Sequence, residues 1–497
     1  MKTPWFIGAV LSGALCGLAA CTARAGETPP SPATKIADVA DQLQLFLDDT
    51  LIESMKGAEL RLQHPQPAEI AIRKDKPWED NAMFDPVVIK DGAKYRMWYR
   101  GGAGDSGVTF GWATGYAESD DGVVWTKPSL GLVEFNKSKE NNIVCYDSKD
   151  KDITTLNGLN TLSIIKDTNP QCKEAERYKA ISCGNGNNDK VIVGLVSPDG
   201  IHWQFQAPNP LVKGGPFDSH NILIRDEARN QYAIYARAWT RPHGRFVQRF
   251  VSPDFQNWSK REGIDVGNAT PEQLYKNGAT PYYRRPDIVL MFPKRFMEGR
   301  GNYEPGAVKG LSQAHNSFSD IVFMFSYDGL HFDRRHMEAF IRPGPDPSNW
   351  HARAIYTGTT LVPTGNGELS MYMAENYSTP TAHIRRMVLR VDGFVSLHAG
   401  CPSGEMMTKP FTFKGNALQL NYATSAAGSI QIEVQDESGK ALPGFALADA
   451  VEIFGDEIER KAAWKGNPDL GKIADQPVRL RFVMKDADLY SIRFVPK

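Results

Sequence analysis

Four carboxylates stand where acid and base chemistry would want them. They are Asp85 in Met83-Phe84-Asp85-Pro86, Glu79 in Pro77-Trp78-Glu79-Asp80, Asp218 in Phe217-Asp218-Ser219-His220-Asn221, and Glu375 in Met373-Ala374-Glu375-Asn376-Tyr377. Two carboxyl groups that face one another can divide the work of proton transfer, because each anion raises the other's pKa and keeps one of the pair protonated near neutral pH. Each also has a local reading. Asp before Pro often caps a turn through its own backbone, Glu79 can be a surface residue beside Trp78, and Glu375 can be the solvated end of a strand. Cations accompany these acids: Arg100, Arg237, Arg353, His220 and His351 could hold hydroxyls, a carboxylate or a sulfate, since the planar guanidinium fork suits bidentate anion recognition. Tyr283 could add a substrate contact, and with His220 it offers the base that an elimination would need.

These positions are hundreds of residues apart, so only the fold can bring them together. A recurring phrase says how: Ser119-Asp-Asp121-Gly122-Val-Val-Trp125, Ser197-Pro-Asp199-Gly200-Ile-His-Trp203, Ser252-Pro-Asp254-Phe-Gln-Asn-Trp258, Ser326-Tyr-Asp328-Gly329-Leu-His-Phe332 and a decayed Arg390-Val-Asp392-Gly393-Phe394. Each reads as a hairpin turn after a strand, four of the five carrying Asp-Gly, with its aspartate structural. Repetition at a long, uneven period is the sequence form of a radial array of small sheets, each with a face it cannot bury alone. The expectation is an all-β chain: a five-bladed β-propeller over residues 45–404, then a β-sandwich over 405–497. The sandwich follows from strict alternation in Leu418-Gln-Leu420, Ile430-Gln-Ile432-Glu-Val434, Val478-Arg-Leu480-Arg-Phe482 and Tyr490-Ser-Ile492-Arg-Phe494. One short helix is expected at Thr270-Pro271-Glu272-Gln273, where Thr caps and Gln closes a capping box.

In a propeller the first strand of every blade lines a central funnel. Strand starts then supply Asp85 in blade one, Asn157 and Asn160 in blade two, Asp218 and His220 in blade three, Tyr282 to Arg285 in blade four, and His351 and Arg353 in blade five. Second-strand ends add Arg100, Arg237 and Glu375. No cofactor is expected: His220, His315, Asp320 and His351 lack metal-ligand spacing, although calcium or zinc could occupy such a funnel.

The Asp-Pro opening of the first blade, the inner-strand acid of the third, the Ser-x-Asp-Gly-x-x-Trp turns and the following sandwich together resemble the five-bladed propeller glycoside hydrolases. That group includes the invertase and inulinase family and the arabinanase and xylosidase family. The resemblance implies cleavage of glycosidic bonds in a plant or algal saccharide, with Asp85 at the first catalytic position and Asp218 at the third, where the families usually carry Glu. Blade two shows no carboxylate to match their modulating Asp. Two other readings stay open: a carbohydrate-binding protein without catalysis, and a propeller lyase using His220 or Tyr283.

Composition narrows the setting. The 497 residues are 41% hydrophobic with a formal net charge of -1, which gives no electrostatic reason to expect nucleic acid. Lys2 precedes an apolar run from Trp5 to Leu15, which reads as an export signal. Leu18-Ala19-Ala20-Cys21 resembles the lipobox of bacterial lipoproteins, which implies cleavage before Cys21 and acylation of its thiol. Thr22 then points to the outer membrane, and residues 22–44 to a flexible tether rich in Pro, Ala and Thr. A plain signal peptide cut near Ala23 or Ala25 is the alternative. Periplasm or cell surface is the expected location. Cys172 and Cys183 could bridge there, or remain thiols.

Overall fold

A computed structural model describes residues 36–80, 83–102, 112–146, 159, 161–185, 190–300, 317–351, 354–365, 367–466 and 468–496. Its regular structure is strand, interrupted only by single helical turns such as Glu174–Glu176 and Pro347–Asn349. The antiparallel sheets follow one another as a propeller's blades do. Blade one runs Phe84–Asp91, Lys94–Gly102, Trp112–Ser119 and Ile143–Tyr146; blade two runs Ser163–Lys166, Tyr178–Asn185, Lys190–Ser197 and Gln204–Phe205. Blade three follows with Ile222–Asp226, Gln231–Thr240, Gly244–Ser252 and Glu262–Gly263.

Blade four is broken across its middle. Thr280–Tyr282, Arg285–Met291 and Met324–Ser326 form one sheet, while Leu274–Tyr275, Lys294–Glu298 and Ser317–Ile321 form another. The Phe292 and Lys294 N–H groups donate to the Asn277 and Lys276 carbonyls across the break, so the chain segments run through from one sheet into the next. Blade five joins Tyr356–Thr357, Glu368–Glu375 and His383–Arg390 to Gln66–Arg73, a strand that precedes blade one in the sequence. That pairing ties the two ends of the ring together.

Burial explains the stacking. Lys190–Ser197 is buried along nearly its whole length, so both faces need a neighbour. Blade one's Trp98 and Tyr116 pack on blade two's Tyr178 and Val193; Ile181 and Ile192 pack in turn on Leu223 and Ile234 of blade three. The seam between blades five and one is closed by Ile72, Tyr372, Val88 and Met97.

The recurring turns lock these seams. Ser197 Oγ accepts the N–H of Asp199 and Gly200, and Asp199 Oδ1 accepts those of Ile201 and His202 at 2.9 and 2.8 Å. The Gly200 carbonyl accepts the indole N–H of its own Trp203 at 2.9 Å and that of Trp98, in the preceding blade, at 2.8 Å. Tyr372 and Tyr235 bond the Gly122 and Gly329 carbonyls in the same way, at 2.5 and 2.7 Å. These are not the tight hairpins expected from Asp-Gly: each leaves a blade's third strand by a longer loop. Gly200 has φ 76° and a Cβ there would lie 2.8 Å from Trp98 Cζ2. Gly200→Ala is therefore expected to cost about 2–4 kcal/mol, from left-handed strain and overpacking together. Chemical denaturation reads this, and an unshifted midpoint would remove the locking role.

The expected helix at Thr270 to Gln273 is absent. Gln273 accepts from Arg245 Nη1 at 2.6 Å and the chain continues as the strand Leu274–Tyr275, so tertiary pairing overrides the capping signal. The C-terminal part is all strand as expected, and hydrogen bonds link its eight strands continuously. Its long strands Ala417–Gln435 and Arg479–Val495 pair through an irregularity between Thr424 and Ser429, and Leu420, Ile432, Phe482 and Leu489 share its core. Pairing crosses the expected boundaries on both sides. Ile52–Lys56 and Ala58–Leu62 join this sheet with Val395–Ala399, and Ala37–Ala40 pairs with Phe411–Phe413. Alternation shows that a segment has one apolar face, not which sheet will cover it. Among the described residues no disulfide joins Cys172 to Cys183.

Candidate functional site

Asp85 sits in a bulge at the start of blade one's first strand. The register skips between Phe84 and Val87, and Asp85 takes φ 53°, a left-handed conformation that Asp tolerates better than most residues. The bulge turns its carboxyl inward, where the residue is 1% exposed. Groups from the other blades meet it there. Thr161, ahead of blade two's first strand, donates to Oδ2 at 3.4 Å, and His220 Nδ1, ahead of blade three's, lies 3.7 Å from Oδ1. Lys276, in the break of blade four, donates its ammonium to Oδ1. That ammonium also lies 4.2 Å from the ring centroid of Tyr356 in blade five and 4.5 Å from that of Phe84.

Arg100 completes the cluster from Phe84's cross-strand position. Its guanidinium stacks 3.8 Å from the Trp112 ring and donates to Thr161 Oγ1 at 3.0 Å. The electrostatics follow from this packing. Burial alone would raise the Asp85 pKa, but Lys276, His220 and Arg100 outweigh it and hold the carboxyl below its ordinary value. Burial pushes His220 down to about 4, against the pull of Asp85, so its imidazole is neutral at neutral pH.

An unfolded chain protonates this histidine as pH falls through its ordinary 6.5, whereas the folded one resists until about 4. The stability this contributes is complete above 6.5 and erodes by up to about 3 kcal/mol on the way down to 4. Unfolding midpoints across that window should fall more steeply for the native protein than for His220→Gln. Parallel slopes would show that His220 does not titrate this way.

Asp218 lies in the loop two residues before His220, with its side chain 50% exposed and accepting from Arg237 Nη1 at 2.5 Å. Arg237 in turn stands 5.6 Å from the ring of Tyr275, which precedes Lys276. The structure thus gathers Asp85, His220 and Arg100, and sets the Asp218–Arg237 pair on their border. The remaining candidates lie elsewhere. Glu79 is fully buried and accepts from the Tyr99 hydroxyl at 2.6 Å, the Asp75 and Lys76 N–H groups at 2.9 and 3.0 Å, and the Lys127 ammonium. These partners hold the loop before blade one.

Glu375 accepts from His383 Nε2 at 2.9 Å and Arg385 Nε at 2.6 Å, in a cleft shared with His64 and Asp346. Burial pulls its carboxyl up, but those two partners hold it low. Tyr283 is 48% exposed at the opposite end of blade four, its ring packed against Tyr282, which bonds Asp392 towards the C-terminal sheet. His351 is buried after the Pro347–Asn349 turn. Cys21, Asn157, Asn160, His315 and Arg353 lie outside the described residues. Sequence reasoning missed Thr161 and Lys276. The only local signal for Lys276 is a lone lysine before Asn-Gly, just beyond the segment expected to be helical. Among the described residues no group of three or more His, Cys, Asp or Glu is placed to hold a metal ion.

No family model matches the sequence, and no curated protein does. Solved structures show distant likeness. One is a glycoside hydrolase, with 13% identity, a TM-score of 0.43, and coverage of 65% of this chain and 92% of that one. Another is an N-acetylgalactosamine deacetylase from F. plautii in complex with blood group B trisaccharide, at 12%, 0.46, 67% and 96%. A glycosyl hydrolase from Bacteroides ovatus stands at 13%, 0.41, 66% and 94%.

Proposed function

We propose that this protein is an exported glycoside hydrolase acting on a plant or algal saccharide. The observation that carries the reading is an ionised, buried carboxylate, Asp85, at the point where side chains from successive blades converge. Hydrolysis of a glycosidic bond takes one carboxylate as base or nucleophile and one carboxylic acid to protonate the leaving oxygen. Asp85 suits the first role, because its neighbours keep it deprotonated. Asp218 is the candidate for the second: it stands half exposed beside the cluster, where a leaving oxygen can reach it, and accepts from Arg237 Nη1 at 2.5 Å. Arg100 and His220 would contact sugar hydroxyls. A lipid on Cys21 would hold the enzyme at the outer membrane, a placement supported by Leu18-Ala19-Ala20-Cys21.

A second reading is favoured by one contact. Lys276 already neutralises Asp85, as it would in a protein that binds saccharide without cleaving it. The two separate in one assay: incubation with a panel of polysaccharides and mass analysis of what is released. The hydrolase should release sugars, and Asp218→Asn should lower the rate about 100-fold or more. Binding without release leaves only the second reading, and an unsaturated, ultraviolet-absorbing product points to elimination.

A further inference from the structure

A cleft of about 810 Å³ opens beside blade four, and none of the residues around Asp85 lines it. Phe318 and Ser319 of the strand Ser317–Ile321 form one side; Arg342 and Trp350 form another, and Arg300 stands at the rim. Trp350 is 40% exposed yet fixed. Its indole N–H donates to the Gly344 carbonyl at 2.7 Å and its ring meets Phe318 edge-on at 5.6 Å. A ring held by both edge and nitrogen presents a rigid apolar face, the kind of surface on which the C–H face of a sugar ring can lie.

Charge distinguishes this cleft from a merely sticky one. Arg295 is spoken for, with Asp320 at 2.8 and 2.5 Å and Glu272 at 2.9 Å. Arg300 and Arg342 also line the cleft, and among the described residues neither engages a carboxylate. Two guanidinium groups without a carboxylate partner and a fixed aromatic face make a site for a ligand that is flat and anionic.

We propose that this cleft binds an acidic saccharide, with a sugar ring on Trp350 and its carboxylate or sulfate ester on Arg300 and Arg342. It is a binding site separate from the Asp85 cluster, and it gives the proposed hydrolase a preference for charged glycans. Calorimetric titration of the full chain carrying Asp218→Asn, to suppress turnover, tests it with three probes: tetragalacturonic acid, a sulfated tetrasaccharide and neutral cellotetraose. At least one acidic probe should bind about tenfold tighter than the neutral one, and which of them does tells carboxylate from sulfate. Arg300→Ala with Arg342→Ala should abolish that margin, Trp350→Ala should weaken binding about tenfold, and Trp350→Tyr should restore part of it. The inference fails if no acidic probe is preferred, or if either the arginine pair or Trp350 can be replaced without effect. This outcome is independent of catalysis, since a chain that releases no sugar but binds in this way keeps the site and loses only the hydrolytic reading.

Discussion

Asp85→Asn is expected to lower glycoside hydrolysis by roughly 100- to 10,000-fold and to destabilise the fold by about 3–5 kcal/mol. The two effects share a cause. Asparagine fills nearly the same space but cannot carry charge, so the mechanism loses its base or nucleophile and Lys276 loses its counter-ion. Lys276 is only 6% exposed at its side chain, and its ammonium also lies near the rings of Phe84 and Tyr356. Removing the carboxylate bonded to a buried cation is among the more expensive single changes a protein can suffer. Lys276→Met separates the roles. In Asp85→Asn with Lys276→Met the unpaired charge is gone, so most of the stability should return while hydrolysis stays lost. If the double replacement restores hydrolysis as well, Asp85 serves only to neutralise Lys276, and the carboxylate mechanism fails with it.

That experiment rests on a residue the sequence concealed, and the reason is physical. Strands were legible wherever burial imposes a period or a continuous apolar run, as in Val191 to Val196. Turns were legible because Ser, Asp and Gly must stand at fixed offsets to satisfy the same backbone N–H groups. Asp85 was legible as an acid opening a strand before Pro86. Lys276 was not, because its importance comes from a partner 191 residues away. Tertiary pairing also decides what removes Glu79 and Glu375 from the Asp85 cluster: the Lys127 ammonium in one case, the His383 and Arg385 pair on a neighbouring strand in the other. Local pattern also leaves partner choice open, which is why strands before residue 63 could belong to the C-terminal sheet.

Asp392→Ala is the other replacement expected to act strongly, through the joint between the two sheet systems rather than through chemistry. Asp392 is the decayed fifth turn aspartate, now fully buried at φ 63°. Blade four reaches it with the Tyr282 hydroxyl and with Arg284 Nη1 at 3.0 Å; the C-terminal sheet reaches it with Asn421 Nδ2 at 3.1 Å and Ser491 Oγ at 2.6 Å. One carboxylate thus satisfies donors from both sides of the junction. Alanine would strand the Arg284 charge and the buried Tyr282 hydroxyl, and it tolerates the left-handed backbone less well than Asp does, for an expected loss of about 3–5 kcal/mol. Because the lost contacts are those that couple the parts, calorimetry should show the unfolding endotherm broaden or split, with the C-terminal sheet and the propeller melting apart. Asp392→Asn, which tolerates the backbone angle and keeps an acceptor for Ser491, should lose less and retain a single transition. A single, unshifted endotherm in Asp392→Ala would mean that the apolar contacts around Phe394 and Tyr282 hold the junction without this carboxylate.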